Sequence, residues 1–144
     1  MIRWTKIEIK PRFYEVDSYK VVNNMFYLGW FELGRFKIAE LAGLLEERLS
    51  KEGIGFLVIE VNVKYLTPVT FLSDVILENA LRYNGTGKLV FFHRVRKKKG
   101  NILAATGKTV VVCVKNGKLL IKLPEWVENK ILDFINNVQG GNAW

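Results

Sequence analysis

The chain has 144 residues, 49% of them hydrophobic, and a formal net charge of +8; that length suits one domain with a real core, and that apolar share excludes a disordered chain. One cysteine, Cys113, and one histidine, His93, exclude an internal disulfide framework, a Cys- or His-cluster metal site and, unless His93 itself serves, a Ser-His-Asp triad. The basic balance points to a polyanionic partner, whether nucleic acid, an anionic surface or a phosphorylated small molecule, and composition does not choose among them.

Residues 6–14 alternate as a first strand, with Pro11 marking an edge or a bulge. A polar loop over 15–23 follows, and Asn23 or Asn24 suits the N-cap of the next helix. That helix is predicted from Asn24 to Ala42, with Gly43 as its stop. Its apolar residues, from Phe26 through Trp30, Leu33 and Phe36 to Leu41, cover more than one stripe, so it is expected to be buried on most faces. Gly29 and Gly34 each cost about 1 kcal/mol relative to Ala in a helix, which suits the close approach of another backbone. Leu44 to Lys51 reads as a short amphipathic helix ended by Gly53.

From Ile54 the period changes to two. Strands are predicted over 54–66, 73–83, 88–98 and 102–114, with a short piece over 119–122. Thr67-Pro68-Val69, Asn84-Gly85-Thr86-Gly87, Lys99-Gly100-Asn101 and Asn116-Gly117 supply the breaks. Pro124 then opens a helix ending near Asn137, and the tail 139–144 is expected to fray. A buried helix against a meander of antiparallel strands is an α+β architecture, expected as a single domain over 1–144.

Some of these residues also form motifs. Tyr14-Glu15-Val16-Asp17, then Asn23-Asn24-Met25-Phe26-Tyr27, then Glu32 and Arg35, resembles the signature of hotdog-fold acyl-CoA thioesterases of the 4-hydroxybenzoyl-CoA thioesterase type. Tyr65-Leu66-Thr67-Pro68-Val69 followed by Asp74-Val75 is similar to a second motif of that family, and Ala105-Thr106-Gly107 with Val112-Cys113-Val114 to a weaker third. Two positions depart from the pattern. Lys20 stands where the family usually has a Gly, the residue that accepts positive φ without steric cost, and Val21 where a His is frequent.

The resemblance implies a hotdog fold, in which a five- to six-stranded antiparallel sheet wraps a long central helix, here with a C-terminal helix added. It implies hydrolysis of an acyl-CoA to a free acid and coenzyme A, with no metal and no cofactor beyond the coenzyme A of the substrate. It also implies a homodimer or homotetramer with active sites between subunits, and an open sheet edge is itself a reason to pair. Asp17 then corresponds to the catalytic carboxylate, as nucleophile or general base, and the backbone amide of Asn24 to the donor that polarises the thioester carbonyl.

Each of these residues also has a structural reading. Asp17 can be a loop or capping carboxylate, and Asn23 can cap the helix, bind substrate, or do both. Tyr14 and Tyr27 line an acyl pocket or belong to the core. Glu32 and Arg35 lie three apart on one helical face, as an intrahelical ion pair or as charges near the pocket. Arg94, Arg96 and Lys97 to Lys99 form a basic cluster, either a solvated turn or, with Lys64, a dock for the phosphates of coenzyme A. His93 reads as structural and Cys113 as a small core residue.

No interleaved exposed aromatics or reading helix support a nucleic-acid partner. No apolar run reaches the length of a membrane span, and the start, Met1-Ile2-Arg3-Trp4-Thr5-Lys6, lacks a signal-peptide pattern, so a cytoplasmic protein without a membrane partner is expected. An acyl-carrier-protein thioesterase and a non-catalytic acyl-thioester binder remain open alternatives.

Overall fold

Strands form over most of the stretches in which β-formers alternate. In a computed structural model describing residues 1–143, these stretches build one six-stranded antiparallel sheet. The strands are β1 (Thr5–Ile9), β2 (Ile54–Tyr65), β3 (Val75–Arg82), β4 (Lys88–Lys97), β5 (Ile102–Lys115) and β6 (Lys118–Leu119). Their order is β1-β3-β4-β5-β2, with β6 pairing β5. Strand β1 is shorter than its alternation suggested. It stops before Pro11, which has no N–H for a ladder, and Phe13–Glu15 winds instead into a 3-10 turn.

The long helix, α1 (Phe26–Leu41), lies across one sheet face. Its inward stripe is Tyr27, Trp30, Phe31, Gly34 and Ile38, a spacing of three and four that keeps them on one side. Trp30 and Phe31 pack with Val69, Leu77 and Val95, and Ile38 with Leu81, Phe91 and Val111. Each such burial is worth about 1.5–3 kcal/mol. Gly34 is required here, because a Cβ at that position would overlap the side-chain amide of Asn79. What crowds Gly34 is thus a side chain rather than the expected backbone, and Gly29 faces open space.

Nor is α1 buried on most faces. Leu28, Leu33 and Leu41 are exposed, and Phe36 is 53% exposed. Two short helices, α2 (Glu47–Lys51) and α3 (Glu125–Asp133), complete the fold, and the chain continues beyond α3 in wider π turns over Phe134–Gln139.

The C-terminal tail does not fray. Gln139 is 1% exposed; its side-chain carbonyl accepts the N–H of Leu81 at 2.7 Å, and its side-chain amide donates to the Leu81 carbonyl at 2.8 Å. Asn142 treats Tyr83 the same way, at 2.9 and 2.7 Å. Two side-chain amides thus take the place of a neighbouring strand beyond Thr5, the first residue of β1. Trp144 lies outside the described residues. Among those residues no helix is long and apolar enough to cross a membrane.

Candidate active site

The loop before α1 is held by its own carboxylates. Glu15 is buried, at 1% exposure, yet fully engaged. It accepts the Arg12 N–H at 2.7 Å, the Arg12 guanidinium at 3.3 Å and the Trp30 indole N–H at 3.1 Å. Its backbone carbonyl accepts the Asn23 N–H at 2.7 Å. A buried carboxylate needs this many donors to offset lost hydration. The result ties both ends of the loop to the indole of α1.

Between those ends the chain makes a tight turn. Asp17 N–H donates to the Val21 carbonyl and Lys20 N–H to the Asp17 carbonyl, both at 2.9 Å. Lys20 sits at φ +63°, the left-handed conformation for which Gly is suited. The turn therefore holds a Lys in the strained position. Asp17 is half-buried; its Oδ1 accepts the Tyr19 N–H at 2.8 Å, and Oδ2 has no partner among the described residues.

Asn23 caps the start of α1 through its side-chain oxygen, which accepts the Met25 N–H at 3.1 Å. Met25, at the helix boundary, offers no side-chain cap of its own. The carbonyls of Asn23 and Asn24 take the N–H groups of Phe26 and Tyr27. The Asn24 N–H meets no acceptor among the described residues. An unpaired amide at the positive end of a helix dipole is a donor available to an oxyanion.

These groups converge on one cleft of about 360 Å³, lined by Asp17, Val21, Asn23, Asn24, Tyr27 and residues 65–68. Tyr65 was not singled out as a site residue from the sequence, although its Tyr-x-x-Pro motif was the signal. Its hydroxyl donates to the Asn24 carbonyl at 3.1 Å, and its ring meets Tyr27 edge to face at 5.1 Å. Burial, with a smaller contribution from Tyr65, pushes the Tyr27 hydroxyl up to about 12, so it stays protonated at neutral pH.

The other expected residues lie elsewhere. Tyr14 is exposed, its ring edge-on to Phe26 and beneath the Arg12 guanidinium. Glu32 and Arg35 form no ion pair. Arg35 turns inward to donate to Thr109 Oγ1 at 3.5 Å, while Glu32 stays exposed. Both border a second, apolar cavity of about 380 Å³ beneath the C-terminal half of α1, lined by Leu44, Ile54, Phe56 and Phe91 among others. Glu32 is about 12 Å of helix rise from Asn24.

The basic cluster divides. Arg94 and Arg96 both pair with the buried Glu78, at 3.1 and 2.7 Å, and Arg94 also stacks on Trp4 at 3.6 Å. Lys64 lines the shallow groove that holds Trp4 and Arg94, whereas Lys97 to Lys99 sit at the β4–β5 hairpin end. His93 is a core residue: its ring stacks on Phe31 at 4.3 Å, Nδ1 bonds Asn79 Oδ1 at 2.8 Å, and Nε2 bonds Thr109 Oγ1 at 3.0 Å. Cys113 is fully buried, and burial pushes its thiol up, away from the reactive thiolate.

A long helix laid across one face of an antiparallel sheet is the hotdog fold. The family model of the thioesterase-like superfamily matches residues 11–131, and the chain belongs to that superfamily. The chloroplastic acyl-acyl carrier protein thioesterase ATL3 of Arabidopsis thaliana is 22% identical over 94% of this chain and 71% of its own. The crystal structure of a DHNA-CoA thioesterase from Staphylococcus aureus superposes with a TM-score of 0.79 at 24% identity, over 92% of this chain and 93% of that one. That of Slr0204, a 1,4-dihydroxy-2-naphthoyl-CoA thioesterase from Synechocystis, gives 0.81 at 13% identity, over 91% and 97%. At these identities the two structures establish the shared fold.

Proposed function

We propose that the chain hydrolyses the thioester of an acyl-CoA to a free acid and coenzyme A, with Asp17 as the catalytic carboxylate. The observation that carries this reading is the convergence of Asp17 and the unpaired Asn24 N–H on one cleft at the N-terminus of α1. Asp17 either attacks the thioester carbonyl or takes a proton from the attacking water; both routes use an oxygen of the carboxylate. The carbonyl oxygen, becoming negative, accepts the Asn24 N–H and is stabilised by the dipole of α1. Collapse of the tetrahedral intermediate breaks the C–S bond, and the coenzyme A thiolate leaves and takes up a proton. By the water route the free acid is then formed. By the nucleophilic route water must still hydrolyse the acyl-Asp17 anhydride to release the acid and restore the carboxylate. Glu15 holds the loop and Tyr65 the Asn24 carbonyl, so both are positioning residues. In this reading the cations facing the nucleotide phosphates are Lys64, Arg94, Arg96 and Lys97, with Glu78 holding the two arginines in place.

A second carrier fits the same chemistry. The reacting segment is an acyl group on a pantetheine arm, which coenzyme A and acyl carrier protein share, and the relative ATL3 is named for the latter. The proposal also pairs two copies of the chain through the edge of β2.

The test is thiol release from a panel of acyl-CoAs by wild type and Asp17→Asn. Wild type turns over at least one substrate, and the variant loses about 100-fold or more in kcat while its urea midpoint stays put. A variant as active as wild type would remove Asp17 from the mechanism.

A further inference from the structure

Next to the cleft, one end of the molecule exposes apolar side chains among lysines. The segment 66–74 runs from the cleft to the tip of the β4–β5 hairpin. At its near end Thr70 bridges to Val21, and the Phe71 N–H donates to the Lys20 carbonyl at 3.4 Å. At its far end the Asp74 carbonyl accepts the Lys98 N–H at 2.9 Å, and Leu72 shares a hollow of about 420 Å³ with Lys97 and Lys99. Leu72 is 87% exposed and Tyr19 is 86% exposed. Phe13 is exposed as well and leans edge-on against Phe71 at 5.7 Å.

The charges here are unbalanced. Lys98 pairs with Glu8 at 2.8 Å and Lys10 with Asp74 at 3.7 Å. Lys20, Lys97 and Lys99 meet no carboxylate among the described residues. Unpaired lysines around exposed Leu72 and Tyr19 form a surface of apolar centre and cationic rim, the composition of a site for another macromolecule.

We infer that this surface, formed by Tyr19, Lys20, Phe71, Leu72 and Lys99, docks the acidic carrier protein that delivers an acyl group on its pantetheine arm. The inference rests on the thioesterase reading of the adjoining cleft. Charge complementarity selects the partner: an acidic protein surface meets the lysines while its apolar residues cover Leu72 and Tyr19. A free nucleotide would use the lysines alone and leave those apolar groups in water. An anionic membrane would meet the same charges. However, the surface is built from loops and lacks the amphipathic helix that membrane-surface binding favours. Its position suits a carrier, because a protein seated beside the cleft can pass its flexible arm directly to Asp17.

The experiment compares wild type with the double variant Leu72→Glu, Lys99→Glu. Binding of an acidic bacterial holo acyl carrier protein to the immobilised enzyme is measured at low and moderate salt. In parallel, kcat/KM is measured on decanoyl carrier protein, decanoyl-CoA and the decanoyl thioester of N-acetylcysteamine, which has neither phosphates nor a protein. Sedimentation with phosphatidylglycerol vesicles forms a third arm. The double variant binds the carrier about tenfold or more weakly and loses a similar factor on decanoyl carrier protein. Its kcat/KM on the N-acetylcysteamine thioester is unchanged, and the wild-type advantage over the variant shrinks as salt rises. Equal carrier binding by the two proteins overturns the inference. So does an equal loss on all three thioesters, a loss confined to decanoyl-CoA, or a wild type that sediments with vesicles but ignores the carrier. If wild type hydrolyses no thioester, the catalytic reading fails, and the binding arm alone still decides whether the surface takes a carrier.

Discussion

At Lys20 a side chain occupies a conformation that glycine would adopt more readily. Its φ of +63° lies in the left-handed region, which costs an L-residue about 1–2 kcal/mol. Lys20→Gly removes that strain but gives the unfolded chain more freedom, worth about 0.4–1 kcal/mol in the other direction. The net expectation is a gain of between about 0 and 1.6 kcal/mol in urea unfolding, with Asp17-dependent turnover retained because the hydrogen bonds of the turn are backbone bonds. A loss of stability would mean that the Lys side chain makes contacts that outweigh its strain. In the sequence Lys20 is a departure from the motif; the backbone bonds of Asp17 and Lys20 that set the path of the loop are not legible in a one-dimensional motif. The same limit hid the grip of Glu15 on Trp30, since a contact fifteen residues apart has no local signature.

At the scale of elements, α1 and the sheet are joined by a polar thread through an apolar core. It runs from Arg35 to Thr109, His93 and Asn79, and from the Asn79 amide to the Thr5 carbonyl of β1 at 3.2 Å. With Nδ1–H donating to Asn79 Oδ1, His93 Nε2 accepts the Thr109 hydroxyl, so the bonded form is the neutral imidazole. Burial first, and the nearby Arg35 cation second, depress the His93 imidazolium to about 3. In the unfolded chain a histidine titrates near 6.5. Between those two values the unfolded state binds the extra proton, so stability falls as pH drops below about 6.5 and levels off near 3. The His93 share of the slope is at most about 1.4 kcal/mol per pH unit. His93→Gln lowers stability at pH 7, but its urea midpoint declines less steeply than wild type from pH 7 to 4. Parallel slopes would show that His93 does not take up its proton on unfolding. Element type and order were legible here because period two and period 3.6 are local properties. The inward turn of Arg35 and the docking of Gln139 and Asn142 on Leu81 and Tyr83 depend on partners 58 to 74 residues away, and no local pattern carries them.

At the scale of the whole molecule, the two sheet edges differ in what they leave open. Beside β3, one edge is closed by β1 and then by the side-chain amides of Gln139 and Asn142. The other edge is β2, twelve residues long, whose only strand partner among the described residues is β5. Leu57, Val58, Ile59 and Val61 are exposed along it, and Leu28 and Phe36 are exposed on α1. Phe36 and Val58 line one cavity, so the helix face and the edge strand form a continuous apolar surface. The composition of α1 announced this apolarity but not its cover, and the sheet buries only one stripe. Glu60, Lys64 and a bulge at Ile59 interrupt β2, but most of its residues are apolar, and an apolar edge of this length favours strand pairing with another chain. A second copy supplies the same edge by two-fold symmetry, and stable pairing requires about 1,200–2,000 Å² of total buried surface. A β2–β2 ladder with the adjoining α1 faces would have to supply it. Ile59→Lys, placed at the bulge of β2 with its side chain already 53% exposed, leaves each folded chain intact while setting two lysines against each other across the ladder. Light scattering during size-exclusion chromatography then gives twice the chain mass or more for wild type and a single chain for Ile59→Lys, with far-ultraviolet circular dichroism unchanged. A wild type that runs as one chain at micromolar concentration would leave the β2 edge unpaired and place the entire active site within one subunit.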